Sequence, residues 1–216
     1  LSFRIKEVVF MPKLVLATNN IHKISEISAI LSGSGIEISS SKDFPDFPQV
    51  EEGGETLTEN ALLKARAVWD KYHLPSIADD TGLEVDYLHG APGVYSARFA
   101  GPGCSYADNN RRLLDLLRGV PADLRTARFR TVIAFVDQVG GEHSVDGVLE
   151  GSIAMAPIGK YGFGYDPVFL VEGTGKTLAQ LPSHEKNRIS HRSQALAKIR
   201  AVLLRILPGI ESINEP

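Results

Sequence analysis

Residues 126–137 constrain this chain most, because they alternate apolar and polar side chains as a long strand does. Gly140 and Gly141 follow and turn the chain back into residues 143–153, so the two runs form a hairpin. Elsewhere helix-like and strand-like segments alternate, which is the pattern of an α/β protein. The hairpin argues against a wholly parallel sheet. At 216 residues the chain can bury a core without disulfides or metal staples, either as one α/β domain or as one sheet with two unequal lobes.

Residues 13–17 read as a short buried strand, 18–20 as a polar turn, and 21–31 as a helix with Ile24, Ile27, Ile30 and Leu31 at helical spacing. The acid-, proline- and glycine-rich residues 43–54 mark an exposed loop. Thr56 and Glu59 then form a capping-box pattern, opening a helix with Leu57, Ala61, Leu62, Ala65, Val68, Trp69 and Tyr72 on its inner face. Pro75 ends that helix, and residues 76–78 form a short strand that delivers Asp79 and Asp80 to its carboxyl end, where ligands sit in open α/β sheets. Ser105 and Asp108 offer another helix cap, 168–171 a short strand, and Ser190 begins the last helix. The expected domain spans residues 13–208, preceded by a peripheral extension (1–12) and followed by a tail (209–216). Met11 stands as an alternative start.

Bulk properties narrow the class of function. A net charge of −3 gives no basic footprint for a nucleic acid polymer. A single cysteine, Cys104, builds no disulfide framework and fits a reducing compartment. No apolar run reaches the roughly 18 residues of a membrane span, and no signal peptide is legible. The expectation is a cytoplasmic protein with no membrane partner.

Three clusters carry chemistry. Thr18, Asn19, Asn20 and Lys23 lie between strand and helix, where backbone amides and the helix dipole favour a phosphate. Asp79 and Asp80 are adjacent carboxylates that call for a cation or solvent, and hard oxygen ligands suit magnesium together with phosphate oxygens and water. Glu51 and Glu52 are candidates for a further ligand, and one aspartate is a candidate base for in-line attack on phosphorus. In the third cluster, Phe163, Gly164, Tyr165 and Asp166 combine close backbone approach with aromatic faces for a base. Lys186, His191 and Arg192 add hydrogen-bond donors. Gly173 to Thr177 imitates the end of a nucleotide-binding P-loop, but Leu170 stands where the earlier glycine belongs, so this segment is read as a surface turn.

Six blocks in order closely resemble the signatures of the Ham1/inosine triphosphate pyrophosphatase family. They are Thr18-Asn19-Asn20 with Lys23; Glu51-Glu52 before Glu59-Asn60-Ala61; Asp79-Asp80-Thr81-Gly82-Leu83; residues 90–98; Phe163 through Pro167; and Ser190-His191-Arg192. The resemblance implies magnesium-dependent hydrolysis of ITP, dITP or XTP to monophosphate and pyrophosphate. It implies that Thr18, Asn19, Asn20, Ile21, His22 and Lys23 hold the triphosphate, and that Asp80 is the acid-base residue and a metal ligand. Glu51 or Glu52 would assist the metal, with Asp79 in a supporting part, and Thr81 would contact substrate. The purine pocket would comprise Phe163, Gly164, Tyr165, Asp166, Lys186, His191 and Arg192. A homodimer is implied as well. Asn19 replaces a common glycine and Thr81 a commoner serine, and neither change removes the chemistry. The expected fold is α/β, a central twisted mixed sheet flanked by helices, with a smaller lobe bounding a substrate cleft. Two rivals stand beside it: a Maf-type pyrophosphatase acting on dTTP or UTP, and a non-catalytic nucleotide-binding protein.

Overall fold

The structure, a computed structural model, describes residues 11–207. The expected C-terminal tail, and all but the last two residues of the expected N-terminal extension, lie outside the described residues. In chain order the elements are β1 (Lys13–Leu16), α1 (Ile21–Leu31), β2 (Glu37–Ser39), α2 (Leu57–Tyr72), β3 (Ser76–Val85) and β4 (Pro92–Gly93). They continue with α3 (Tyr106–Leu116), β5 (Thr126–Val136), β6 (Glu142–Ile153), β7 (Phe169–Val171), α4 (Ser183–Ile189) and α5 (His191–Ile206). One sheet runs β2-β1-β3-β5-β6-β7, with β4 attached to β3. β1 is parallel to β2 and β3, while β5, β6 and β7 continue antiparallel, so the sheet is mixed as the hairpin required.

Local chemistry sets the element ends. Thr56 Oγ1 accepts from Glu59 N at 3.1 Å and Glu59 Oε2 accepts from Thr56 N at 3.2 Å, the reciprocal box that satisfies two otherwise orphaned amides of α2. Ser105 and Asp108 cap α3 in the same way. In the β5–β6 turn Asp137 accepts from the amides of Val139 and Gly141 at 2.9 and 2.8 Å, and Gly140 takes a φ of +84°.

Period-two alternation along β3 and β5 then sorts the core into three parts. On one face Ile77, Ile133 and Phe135 pack with Ile27 and Leu31 of α1 and Leu196, Ile199 and Leu203 of α5. On the opposite face Ala78, Val132, Ala134 and Val136 meet Leu57, Ala61, Ala65 and Val68 of α2. Further along the first face a separate cluster begins, in which Leu83, Val85 and Phe129 pack with Leu113 of α3, Phe169 and Leu178. Asp79, Thr81 and Thr131 interrupt the apolar face between its two clusters. Two apolar clusters thus share one face of the same strands, and the polar break lies between them.

Beyond the short strands β2 and β4, which were not anticipated, two elements differ from expectation. β3 does not stop at residue 78; it runs ten residues and carries Asp79 and Asp80 in its middle, because β5 pairs with it without interruption from Ser76 to Val85. It is β1 that stops, its last pairing being Leu16 with Ile77, so the aspartates do lie just past the end of a parallel neighbour. Helix α4 was not anticipated, since its seven residues include a single apolar side chain, Ile189.

Gly147 of β6 sits against the first turn of α5. A Cβ there would lie 2.1 Å from His191 O and 2.6 Å from Ala195 N, both backbone atoms with no freedom to swing aside. Replacing Gly147 by Ala is expected to lower stability by about 1–3 kcal/mol, the usual cost of overpacking. Chemical denaturation of the two proteins checks this, and an unchanged midpoint would show that α5 can retreat.

Candidate functional site

A cleft of about 340 Å³ opens beyond the end of β1. Its walls include Thr18, Asn19, Asn20 and Lys23 from the β1–α1 turn, Lys64 of α2, and Asp80 and Thr81 of β3. Phe163, Gly164, Tyr165 and Asp166 line the other end with Lys186, His191 and Arg192. Ile21, His22 and Glu51 are exposed and stand outside the lining, although the His22 ring stacks on Phe163 at 5.0 Å between centroids.

Successive residues of a strand face opposite ways, and this separates the two aspartates. Asp80 turns toward α2, where Lys64 Nζ lies 2.9 Å from its Oδ1 and 2.7 Å from Glu52 Oε1. Burial pushes the Asp80 carboxyl up, Lys64 opposes it, and the nearby charge of Glu52 adds to the rise. Asp79 turns toward α1 and α5. Its Oδ2 lies 3.1 Å from Lys23 Nζ and accepts from Arg192 Nε and Nη2 at 3.2 and 3.1 Å. Burial alone would raise the Asp79 carboxyl, but Lys23, Arg192 and Lys64 outweigh it and hold it well below the usual carboxylate range. The pair therefore shares no cation through its carboxylates. Lys64 still bridges the two residues, because its Nζ also donates to the Asp79 backbone oxygen at 2.8 Å, an acceptor beyond the reach of β1.

The turn before α1 departs from the expected amide cradle. Asn20 Oδ1 accepts from His22 N and Lys23 N at 3.0 and 3.3 Å, and Thr18 Oγ1 accepts from Asn20 N at 3.2 Å. These amides already have protein acceptors, as a capped helix start demands. The side chains of Lys23 and Lys64 add positive charge at this end of the cleft.

At the other end Asp166 Oδ2 accepts from Phe163 N at 2.9 Å and from Lys186 Nζ at 2.7 Å. Gly162 permits this, since a Cβ on it would lie 1.9 Å from that same oxygen. Lys186 Nζ also lies 4.8 Å above the Phe163 ring and donates to Glu26 Oε1 at 2.9 Å, while Glu26 Oε2 accepts from Arg192. The His191 ring stacks on Phe129 with centroids 4.6 Å apart, and its Nδ1 is buried without a protein partner among the described residues.

Sequence reasoning missed Lys64, Glu26 and Thr131. Lys64 had a signal: it falls at helical spacing between Ala61 and Val68, so a lysine occupies the apolar stripe of α2. Glu26 lies one turn after Lys23 on α1, and Thr131 interrupts the apolar face of β5. Of the four acidic residues expected around a metal, the fold brings together Asp80 and Glu52, and it carries Asp79 to the other face. Among the described residues, no group of three or more histidine, cysteine, aspartate or glutamate side chains forms a metal cage. Two converging carboxylates nonetheless suit magnesium, which commonly completes its shell with phosphate oxygens and water.

Burial, with Arg192 and Lys186 beside it, lowers the His191 imidazole well below its ordinary value. A histidine depressed in the folded state is matched by an unfolded one that protonates near pH 6.5, so stability is fully present above about 6.5 and declines below it. The wild type should lose up to about 1.4 kcal/mol more per pH unit than His191→Gln between about pH 6.5 and 5. Parallel denaturation curves for the two proteins test this, and equal slopes would mean that His191 takes up its proton in the fold.

The sequence profile described as the Ham1 family matches residues 14–202. A protein of Thermoanaerobacter sp. (strain X514) named dITP/XTP pyrophosphatase is 51% identical over 195 residues, covering 90% of this chain and 98% of its own. One of the same name from Geobacter sulfurreducens is 49% identical over 190 residues, 88% of this chain and 96% of the relative. The solved structure of a HAM1 protein from Coxiella burnetii superposes with a TM-score of 0.82 at 40% identity, covering 90% of this chain and all of that one. The Staphylococcus aureus Ham1 protein gives 0.80 at 38% identity, with 88% and 97% coverage. With the profile matching most of the chain, full-length relatives about half identical to it and solved structures superposing on its fold, this chain belongs to the Ham1 family.

Proposed function

We propose that this chain hydrolyses non-canonical purine nucleoside triphosphates, ITP, dITP and XTP, to the monophosphate and pyrophosphate. The observation that carries the reading is the polarity of one cleft: Asp80, Glu52, Lys64 and Lys23 crowd one end, and Phe163 with Lys186, His191 and Arg192 forms the other. A triphosphate belongs at the first end and a base at the second. The names of the full-length relatives support the same reaction.

Lys23 and Lys64 would attract the phosphates, and Asp80 would orient and deprotonate the attacking water. Asp80 and Glu52 would hold magnesium, which supplies neutralising charge at the phosphate oxygens when bound. We assign Glu52 ahead of Glu51 because Glu52 meets Asp80 at a single point, Lys64 Nζ. Asp79 would serve by holding Lys23 and Arg192 in place. At the base end, Lys186 and Arg192 would donate to a 6-keto oxygen and confront the amino group of adenine. A buried donor left facing a donor costs about 1–3 kcal/mol. The reading extends to a cytoplasmic homodimer, which light scattering on purified protein checks; among the described residues no helix is long and apolar enough to cross a membrane.

Replacing Asp80 by Asn should abolish pyrophosphate release from ITP while the circular dichroism spectrum stays native; near-normal turnover would remove Asp80 from its role. In a panel with and without magnesium, ITP and XTP should exceed ATP by about tenfold or more. They should also exceed UTP and dTTP, and chelating the metal should silence all of them. A preference for the pyrimidine nucleotides would overturn the purine assignment.

A further inference from the structure

Thr131 lies wholly buried in β5, outside the cleft lining, on a cross-strand row with Thr81 of β3 and Gly147 of β6. Its Oγ1 is 2.6 Å from Thr81 Oγ1. The Thr81 hydroxyl has two further neighbours, Asp79 Oδ2 at 3.2 Å and Arg192 Nη2 at 3.3 Å. A hydroxyl carries one proton and two acceptor lone pairs, a guanidinium only donates, and an ionised carboxylate only accepts. Arg192 therefore takes one lone pair of Thr81, and the Asp79 oxygen, which can only accept, faces the Thr81 proton. If Thr81 gave that proton to Thr131, a lone pair would face the carboxylate oxygen across 3.2 Å. The arrangement that satisfies all three neighbours has Thr131 donating to Thr81.

We propose that Thr131 is a positioning residue: by donating to Thr81 it commits the Thr81 proton to Asp79 and the remaining Thr81 lone pair to Arg192. Through Thr81 it fixes the guanidinium that faces the base end of the cleft, although it touches no substrate itself. The proposal rests on the pyrophosphatase reading for its kinetic consequence.

The test is a double-mutant cycle over Thr81→Val and Thr131→Val on the full chain, read as KM and kcat for ITP and, without metal, as ITP affinity by calorimetry. Thr131→Val should raise KM, and weaken ITP binding, about fivefold to tenfold, the worth of one hydrogen bond. It should change kcat less. Thr131→Ser should restore wild-type values, and Thr131→Val should add nothing once Thr81 is Val. Thr131→Ala removes the hydroxyl without a new methyl and gives the same reading should valine disturb packing. Equal losses for Thr131→Ser and Thr131→Val, or additive losses in the cycle, overturn the role of Thr131. A wild type that binds ITP without releasing pyrophosphate overturns the pyrophosphatase reading and leaves the binding cycle to decide on Thr131. A wild type that does neither overturns both.

Discussion

The site depends on a strand's habit of sending consecutive side chains to opposite faces. Because β5 keeps β3 in register through its middle, Asp79 and Asp80 cannot turn the same way. Each is delivered to a different helix layer and finds a different cation: Lys64 of α2 for Asp80, and Lys23 and Arg192 from α1 and α5 for Asp79. The early end of β1 leaves the Asp79 carbonyl free for lysines instead of a neighbouring strand. Two identical residues thereby acquire unlike surroundings.

Such a centre carries a stability cost. Ions taken from water lose several kcal/mol of solvation each, and only close pairing returns it. The structure answers with alternation of charge: Asp166, Lys186, Glu26, Arg192, Asp79 and Lys23 follow one another by direct contact. Apolar clusters at both ends of the same sheet face supply the burial that tolerates this polar break.

The hairpin, the mixed sheet, the caps at Thr56 and Ser105 and the segments around Thr18 and Phe163 that line the cleft were legible in the sequence, because period, capping pairs and turn glycines are local signals. The course of β3 was not. Its polar middle, Asp79 to Gly82, looks like a turn until a partner strand is known to continue beside it. The engagement of the turn amides by Asn20 and Thr18 was hidden for a similar reason: asparagine before a helix reads equally as a cap or as part of a phosphate loop. Lys64 was legible in principle, as a charge within an apolar stripe, and Glu26 acquires meaning only when α4 and α5 arrive from about 160 residues away.

Glu26 spans two cations with its two oxygens, Lys186 on one and Arg192 on the other, and Arg192 continues to Asp79. Sliding either end of the cleft past the other would part a buried ion pair, and removing one partner of such a pair costs about 3–5 kcal/mol. The spacing between the aromatic end and the carboxylate end is consequently held as by a gauge block. On the proposed reading, a molecule laid along it would be sorted by its length from ring to phosphate as well as by the atoms on its edge.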